Sequence, residues 1–293
     1  MDTATKYHVL VTGSSSGFGK RMVKTLAQAG HRVFASMRNV NGRNENVATE
    51  LQDWAKVEAL ALEVVELDIT DQSSIDKAIG TILDTAGHLD VVVNNAGVGS
   101  LGIVEAFTIE QLHNIFDILT FGPIRVDKAI LPHMRARQSG LLIHVTSVGA
   151  RIVGSLLGTY SGAKAALEMM SDHLHAELTE FGVESIIVEP GGYPTERVIP
   201  NLIYPSDADI LAQYGKLGSK AIEDWCNSAK TFLTDPQAPD PQEVGNAVKN
   251  LLDMPVGQRP IRTVVGKYMT QGVEKLNRAS EVAQQEYNEA ETR

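Results

Sequence analysis

Tyr160 and Lys164 lie four residues apart, and Ser147 precedes Tyr160 by thirteen. Four-residue spacing on a helix sends both side chains from one face, where they can meet one ligand. An ammonium about 5 Å from a phenol, at an effective dielectric of ~20, favours the phenolate by ~3 kcal/mol, or ~2 pKa units. That would move a phenol from ~10 towards neutrality, where one group can both give and take a proton. Ser147 can set a hydroxyl beside it to orient a carbonyl oxygen. Singly these residues are unremarkable, because tyrosines and lysines fall one turn apart by chance and serines often cap helices. Their joint occurrence in this order needs a frame that brings them together.

That frame is read from hydrophobic periodicity. Short apolar runs alternate with longer stretches of helical period, the pattern of parallel strands joined by crossover helices. Strands are expected over 7–12, 32–37, 61–68, 90–94, 141–146, 183–189 and 262–265, with helices over 17–29, 47–56, 72–86, 109–136 and 159–181. The expectation is an α/β fold: a Rossmann-type, doubly wound parallel sheet with helices on both faces, forming a single domain over 1–293. Ligands of such a sheet bind in the crevice at the carboxyl ends of its strands. From about 190 to 235 the alternation fails, and this stretch reads as a substrate-covering segment or a packed connector. The polar stretch from about 266 to 293 reads as a C-terminal helical tail.

The first strand runs into Gly13, Ser14, Ser15, Ser16, Gly17, Phe18 and Gly19 and then into a helix. Strand, glycine turn and helix amino-terminus together present backbone N–H groups and a helix dipole to a pyrophosphate, so a dinucleotide is expected here. At the end of the second strand an acid would bind the ribose 2′-hydroxyl of NAD, whereas an arginine pairs with the 2′-phosphate of NADP. The chain has Arg38 and no acid until Glu45, which favours NADP(H) over NAD(H). Asp68, followed by Ile69, can contact the adenine edge or cap the next helix, a role for which Asp71 competes. Asn94, Asn95, Ala96 and Gly97 end the fourth strand with small residues against which a ribose and its diphosphate could lie.

Taken together, these motifs resemble the short-chain dehydrogenase/reductase family, in its ~250-residue branch with a Thr-Gly-x-x-x-Gly-x-Gly turn. The likeness covers about residues 6–195 and includes Gly13, Gly17, Gly19, Asp68, Asn94 to Gly97, Ser147, Tyr160 and Lys164, then Pro190, Gly191, Gly192 and Thr195 near a nicotinamide. It implies a Rossmann fold, hydride transfer without a metal, Lys164 also on the nicotinamide ribose, and a homodimer or homotetramer through the two long helices that carry Asp117 and Tyr160. One departure stands out: Leu119 replaces an asparagine common in the family, where a lysine-linked water is thought to lean on the main-chain carbonyl of that position. Slower proton exchange and not an inert site is expected, with Thr120 at most a partial substitute, because a neighbour on a helix points elsewhere. His144, before the serine, is not expected to be catalytic.

Composition bounds the alternatives. A net charge of −10 argues against nucleic acid or an anionic membrane as partner. No window approaches a membrane span, no secretory leader is legible, and Cys226 is the single cysteine, so a cytoplasmic protein without an internal disulfide is expected. The leading reading is an NADP(H)-dependent oxidoreductase acting on a ketone, aldehyde or secondary alcohol. Val98, Ile152, Val153, Leu156, Leu157, Tyr193, Leu202, Ile203 and Tyr204 suggest an apolar small-molecule substrate. Arg151 and Arg197 are the nearby cations. The alternatives are a catalytically impaired NADP(H)-binding regulator, motivated by Leu119, and an epimerase or dehydratase.

Overall fold

The structure is a computed structural model and describes residues 5–196 and 199–291. Nine strands are described: β1 His8–Val11, β2 Arg32–Met37, β3 Leu62–Glu66, β4 Val91–Asn94, β5 Gly99–Ser100, β6 Gly140–Val145, β7 Val183–Pro190, β8 Leu202–Ile203 and β9 Arg262–Val265. The helices are α1 Gly17–Gln28, α2 Glu45–Val57, α3 Gln72–Ala86, α4 Ile109–Phe116, α5 Gly122–Arg137, α6 Gly158–Leu178, α7 Ala208–Gln213, α8 Ser219–Leu233, α9 Gln242–Asp253 and α10 Val273–Glu291. Seven strands make one parallel sheet in the order β3-β2-β1-β4-β6-β7-β9, while β5 and β8 form a separate two-stranded ladder. The main sheet is the expected doubly wound, Rossmann-type arrangement.

Alternation along the strands explains the two layers. Val9, Val11, Val33, Ala35, Val91 and Val93 face one core with residues of α1, α2 and α9. Leu10, Phe34, Val92 and Leu142 face the other, packed by α3, α5 and the end of α6. A strand buried on both faces needs a nearly continuous apolar run, and β1 and β4 have one. The chain order reverses between β1 and β4, which opens the crevice at their carboxyl ends.

Three differences from the expected elements have local causes. The expected helix over 109–136 is interrupted by a π-turn at Asp117–Phe121. Pro123, in the first turn of α5, lacks the N–H that would serve the Leu119 carbonyl in an α-helix. Thr120 from this turn donates to the Ala163 carbonyl at 2.8 Å, which binds the turn to α6. Next, α9 carries Val244, Val248, Leu251 and Leu252 into the core beside α1, a helical period within the reach of sequence reasoning but not identified there. Tyr193, expected at the pocket, is instead a core residue: its hydroxyl donates to Glu243 of α9 at 2.7 Å and its ring meets Phe18 edge-on.

Behind α6 lies a buried polar cluster. Glu168 accepts from Thr146 at 2.7 Å, Glu189 accepts from Asn277 of α10 at 2.5 Å, and Arg262 holds Asp172. Arg262 Nε lies 3.9 Å from both Glu168 and Glu189, too far for direct hydrogen bonds. Burial, with Glu189 adding to it, pushes Glu168 up to about 7.

Two expectations concern stability. Gly13 has φ +70°, and a Cβ there would fall 2.7 Å from the Ala96 Cα. Gly13→Ala should cost about 1–3 kcal/mol in denaturant unfolding, because backbone must move. Glu168 binds its proton more tightly folded than unfolded, so its contribution to stability is present at low pH and is lost as pH rises from 4.5 through about 7. Glu168→Gln should therefore gain on wild type on the order of 2 kcal/mol more at pH 8 than at pH 4. Equal differences at both pH values would contradict the assigned burial cost.

Candidate active site

The β1–α1 turn is tied to both neighbouring strand ends. The Thr12 hydroxyl accepts from the Asn95 and Ala96 amides at 3.0 Å each, the Asn95 side chain donates to the Thr12 carbonyl at 2.8 Å, and the Ser14 amide donates to Ser36 at 2.8 Å. Gly19 lets α1 approach closely, since a Cβ there would sit 2.3 Å from the Gly13 carbonyl oxygen. The first turn of α1 holds no acid and Ser16 makes no side-chain cap, leaving the helix amino-terminus to face an incoming anion. Gly17, at φ +54°, has no atom nearer its Cβ position than Thr195 at 3.8 Å, so the turn is open there.

These elements border a cleft of about 550 Å³. Of the residues expected at a cofactor, Gly13, Ser15, Ser16, Gly17 and Phe18 line it from the turn. Arg38 and Ile69 line it from the ends of β2 and β3, and Asn95, Ala96, Gly97 and Thr195 from the far side. Gly19, Asp68, Pro190 and Gly191 stand behind the lining. Asp68 accepts from the Thr70 amide and hydroxyl and lies 3.7 Å from Arg38, whereas Asp71 caps α3. Gly191 is enclosed by the later chain: a Cβ there would lie 2.2 Å from the Tyr268 carbonyl oxygen.

Arg43 and Asn44 also line the cleft and were not anticipated. Asn44 donates to the Arg38 carbonyl at 2.5 Å, folding the segment after β2 back on itself so that two arginines face one rim. A second arginine five residues after the first was the available signal. The spacing could not reveal it without the turn.

Tyr160 and Lys164 line the same cleft from the first turns of α6. Lys164 is 5% exposed and donates to the Val145 carbonyl at 2.8 Å. Burial lowers its pKa to about 8, with Glu168 one turn further along α6 acting against that fall. Tyr160 differs from the electrostatic expectation: burial pushes its phenol up, hydrogen bonding with Ser147 opposes the rise, and Glu168 adds to it. The lysine is drawn to a strand carbonyl, and desolvation outweighs the attraction assumed from spacing. Ser147 Oγ accepts from the Gly149 amide at 3.0 Å and sits behind the cleft lining.

Leu119 is fully buried and lines the cleft, against Val98, Tyr160 and Ile203 in a small apolar cluster. Its Cδ2 lies 3.1 Å from where a Gly97 Cβ would be, and that point is 4.0 Å from Lys164 Nζ. An apolar wall thus replaces a polar side chain beside the lysine. His144 is remote from the cleft chemistry, bonded to Asp127 at 2.9 Å and Ser171 at 3.0 Å in a sealed network.

The cleft is covered by the irregular segment. Gly99 pairs with Leu202 and Ser100 with Ile203, and Gln111 donates to the Tyr204 carbonyl at 2.7 Å. Val98, Leu157 and Leu202 line the cleft as expected, joined by Asn201 and by Trp225 of α8. Ile152, Val153, Leu156, Ile203 and Tyr204 stand outside the lining, Val153 almost wholly exposed. Tyr204 meets Cys226 at 3.3 Å, Arg151 is held by Ser280 of α10 at 2.7 Å, and Arg197 falls outside the described residues. Among the described residues, no helix is long and apolar enough to cross a membrane.

Comparison with known proteins agrees with this geometry. Residues 7–201 match the family model described as short chain dehydrogenase. A 3-ketodihydrosphingosine reductase of Bacteroides thetaiotaomicron is 33% identical over 228 residues, covering 76% of this chain and 79% of that protein. A short-chain dehydrogenase from Streptomyces avermitilis superposes with a TM-score of 0.77 at 28% identity, covering 98% of both chains. An alcohol dehydrogenase from Thermococcus sibiricus, solved with 5-hydroxy-NADP, shares the fold with a TM-score of 0.69 at 22% identity, covering 89% of this chain and 96% of the other. With the glycine turn, Tyr160 and Lys164 on one cleft, the chain belongs to the short chain dehydrogenase family, as a nicotinamide-dinucleotide-dependent oxidoreductase.

Proposed function

We propose that this protein is an NADP(H)-dependent carbonyl reductase, equally an alcohol dehydrogenase in reverse, acting on an apolar ketone, aldehyde or secondary alcohol. The observation that carries the reading is the convergence of Tyr160 and Lys164 on the cleft bordered by the glycine turn. The residues present fit a dinucleotide: an open turn at Gly17, an uncapped helix amino-terminus, and small residues from Asn95 to Gly97. Gly13 to Phe18 would hold its diphosphate, Arg38 and Arg43 a 2′-phosphate, Ile69 its adenine side, and Thr195 the far end. The preference for NADP(H) rests on these two arginines at one rim of the cleft.

When bound, the dinucleotide supplies or accepts the hydride and, oxidised, brings a positive charge to the cleft. Tyr160 gives its phenolic proton to the substrate oxygen in reduction and takes it back in oxidation. Ser147 donates to the same oxygen and orients it. Lys164, kept in place by the Val145 carbonyl, favours the phenolate and binds the nicotinamide ribose. Leu119 leaves proton resupply to main-chain groups and water. The regulator reading draws on Leu119 alone and is weaker, because Tyr160 and Lys164 keep their places.

Val98, Leu157, Leu202 and Trp225 make an apolar end for the substrate under the segment from about 190 to 235. The Bacteroides relative is named as a reductase of a keto compound, which agrees with carbonyl reduction as the direction. We place the protein in the cytoplasm as a single domain, forming a homodimer or homotetramer through the helical stretch that carries Asp117 and through α6, beside which Phe121, Met169 and Met170 expose apolar surface.

Titration with NADPH and NADH, followed by turnover on apolar ketones, tests the reading. Tyr160→Phe should lower turnover about 10²–10⁴-fold while NADPH binding stays near wild type. Arg38→Asp should weaken NADPH about tenfold to a hundredfold through lost charged hydrogen bonds, and NADH far less. Equal losses for both cofactors would refute the 2′-phosphate assignment.

A further inference from the structure

At the end of the sheet remote from the cleft, His8, His88 and Asp90 converge from the start of β1 and the approach to β4. One ligand atom from each lies within 4.8 Å of the others. The two imidazoles are stacked, with centroids 4.2 Å apart. Nothing in the oxidoreductase chemistry uses them.

His8 Nδ1 lies 3.0 Å from the His88 carbonyl oxygen. A carbonyl can only accept, so Nδ1 carries the hydrogen and Nε2 keeps its lone pair. A metal-binding histidine usually donates its other ring N–H in this way, which fixes the ring's orientation. Asp90 is oriented in a similar way: the Arg137 guanidinium holds Oδ1 with two contacts of 3.1 Å. Oδ2, which accepts from the His8 amide at 2.8 Å, lies 3.3 Å from His88 Nε2. In a tetrahedron with metal–ligand bonds of about 2.0–2.1 Å, neighbouring ligand atoms stand about 3.3 Å apart.

We infer that His8, His88 and Asp90 form a three-ligand binding site for a borderline divalent cation such as zinc, with water completing its coordination. Imidazole-rich ligation with one carboxylate suits zinc, nickel or cobalt over magnesium or calcium, which prefer all-oxygen sites. Entry is open, since the His88 side chain is 38% exposed. The guanidinium of Arg137 offsets the carboxylate, so affinity should fall below that of a closed structural site. Such an ion would join β1 and the approach to β4.

The test uses the full chain without a polyhistidine tag, titrated with ZnCl₂ against a chromophoric chelator and separately with cobalt(II). The expected result is one zinc per chain, a cobalt spectrum of four-coordinate type, and a melting temperature that rises with zinc. His88→Ala should weaken zinc about a hundredfold or more, with NADPH binding unchanged. Absence of saturable zinc binding by the wild type, or undiminished binding by folded His88→Ala, would overturn the site.

Discussion

The close approach of β1 and β4 at their carboxyl ends is the constraint on which the rest of the site depends. Thr12 accepts two amides of the β4 loop, and Gly13 stands where a Cβ would strike the Ala96 backbone. Because the chain order reverses between these strands, the loops must diverge above that contact, and the divergence is the cleft. Everything that borders the cleft is referred to this junction. The helix amino-terminus follows from Gly17 and Gly19, and the Asn95 side chain reaches back to the first turn.

A second constraint is electrostatic. Lys164 and Glu168 lie on one face of α6, and both are buried. Desolvation lowers the lysine to about 8 and raises the glutamate to about 7, so each is driven towards neutrality near the same pH. The Val145 carbonyl and Thr146 hydroxyl, consecutive at the end of β6, hold one each. One strand end thus organises both charges. Arg262 and Asn277 extend this polar cluster to β9 and α10, which gives the C-terminal helix a part in the electrostatics behind the site.

The covering segment is anchored in the same economical way. A two-residue ladder, Gly99 with Leu202 and Ser100 with Ile203, fastens it to the loop after β4. The loop and the lid are therefore one body at their contact, while α7 and α8 have no buried residue of their own. Local stability scales with buried contacts, so these helices belong to the less stable part of the molecule. Trp225 reaches the cleft from this part.

The residues themselves determined the strand and helix alternation, the glycine turn and the Tyr160–Lys164 face, because period, glycine placement and four-residue spacing are local properties of the chain. The seven strands of the sheet all lie where apolar runs stand in sequence, and α3 spans the expected residues. Only tertiary structure decided that Arg43 joins Arg38, that Tyr193 serves the core through Glu243, and that burial drives Tyr160 upward. It also brought His8 beside His88 and Asp90 from a distant part of the chain. The physical reason is the same throughout: desolvation and contact between remote residues depend on how strands stack side by side, and no local pattern encodes the neighbour across the sheet.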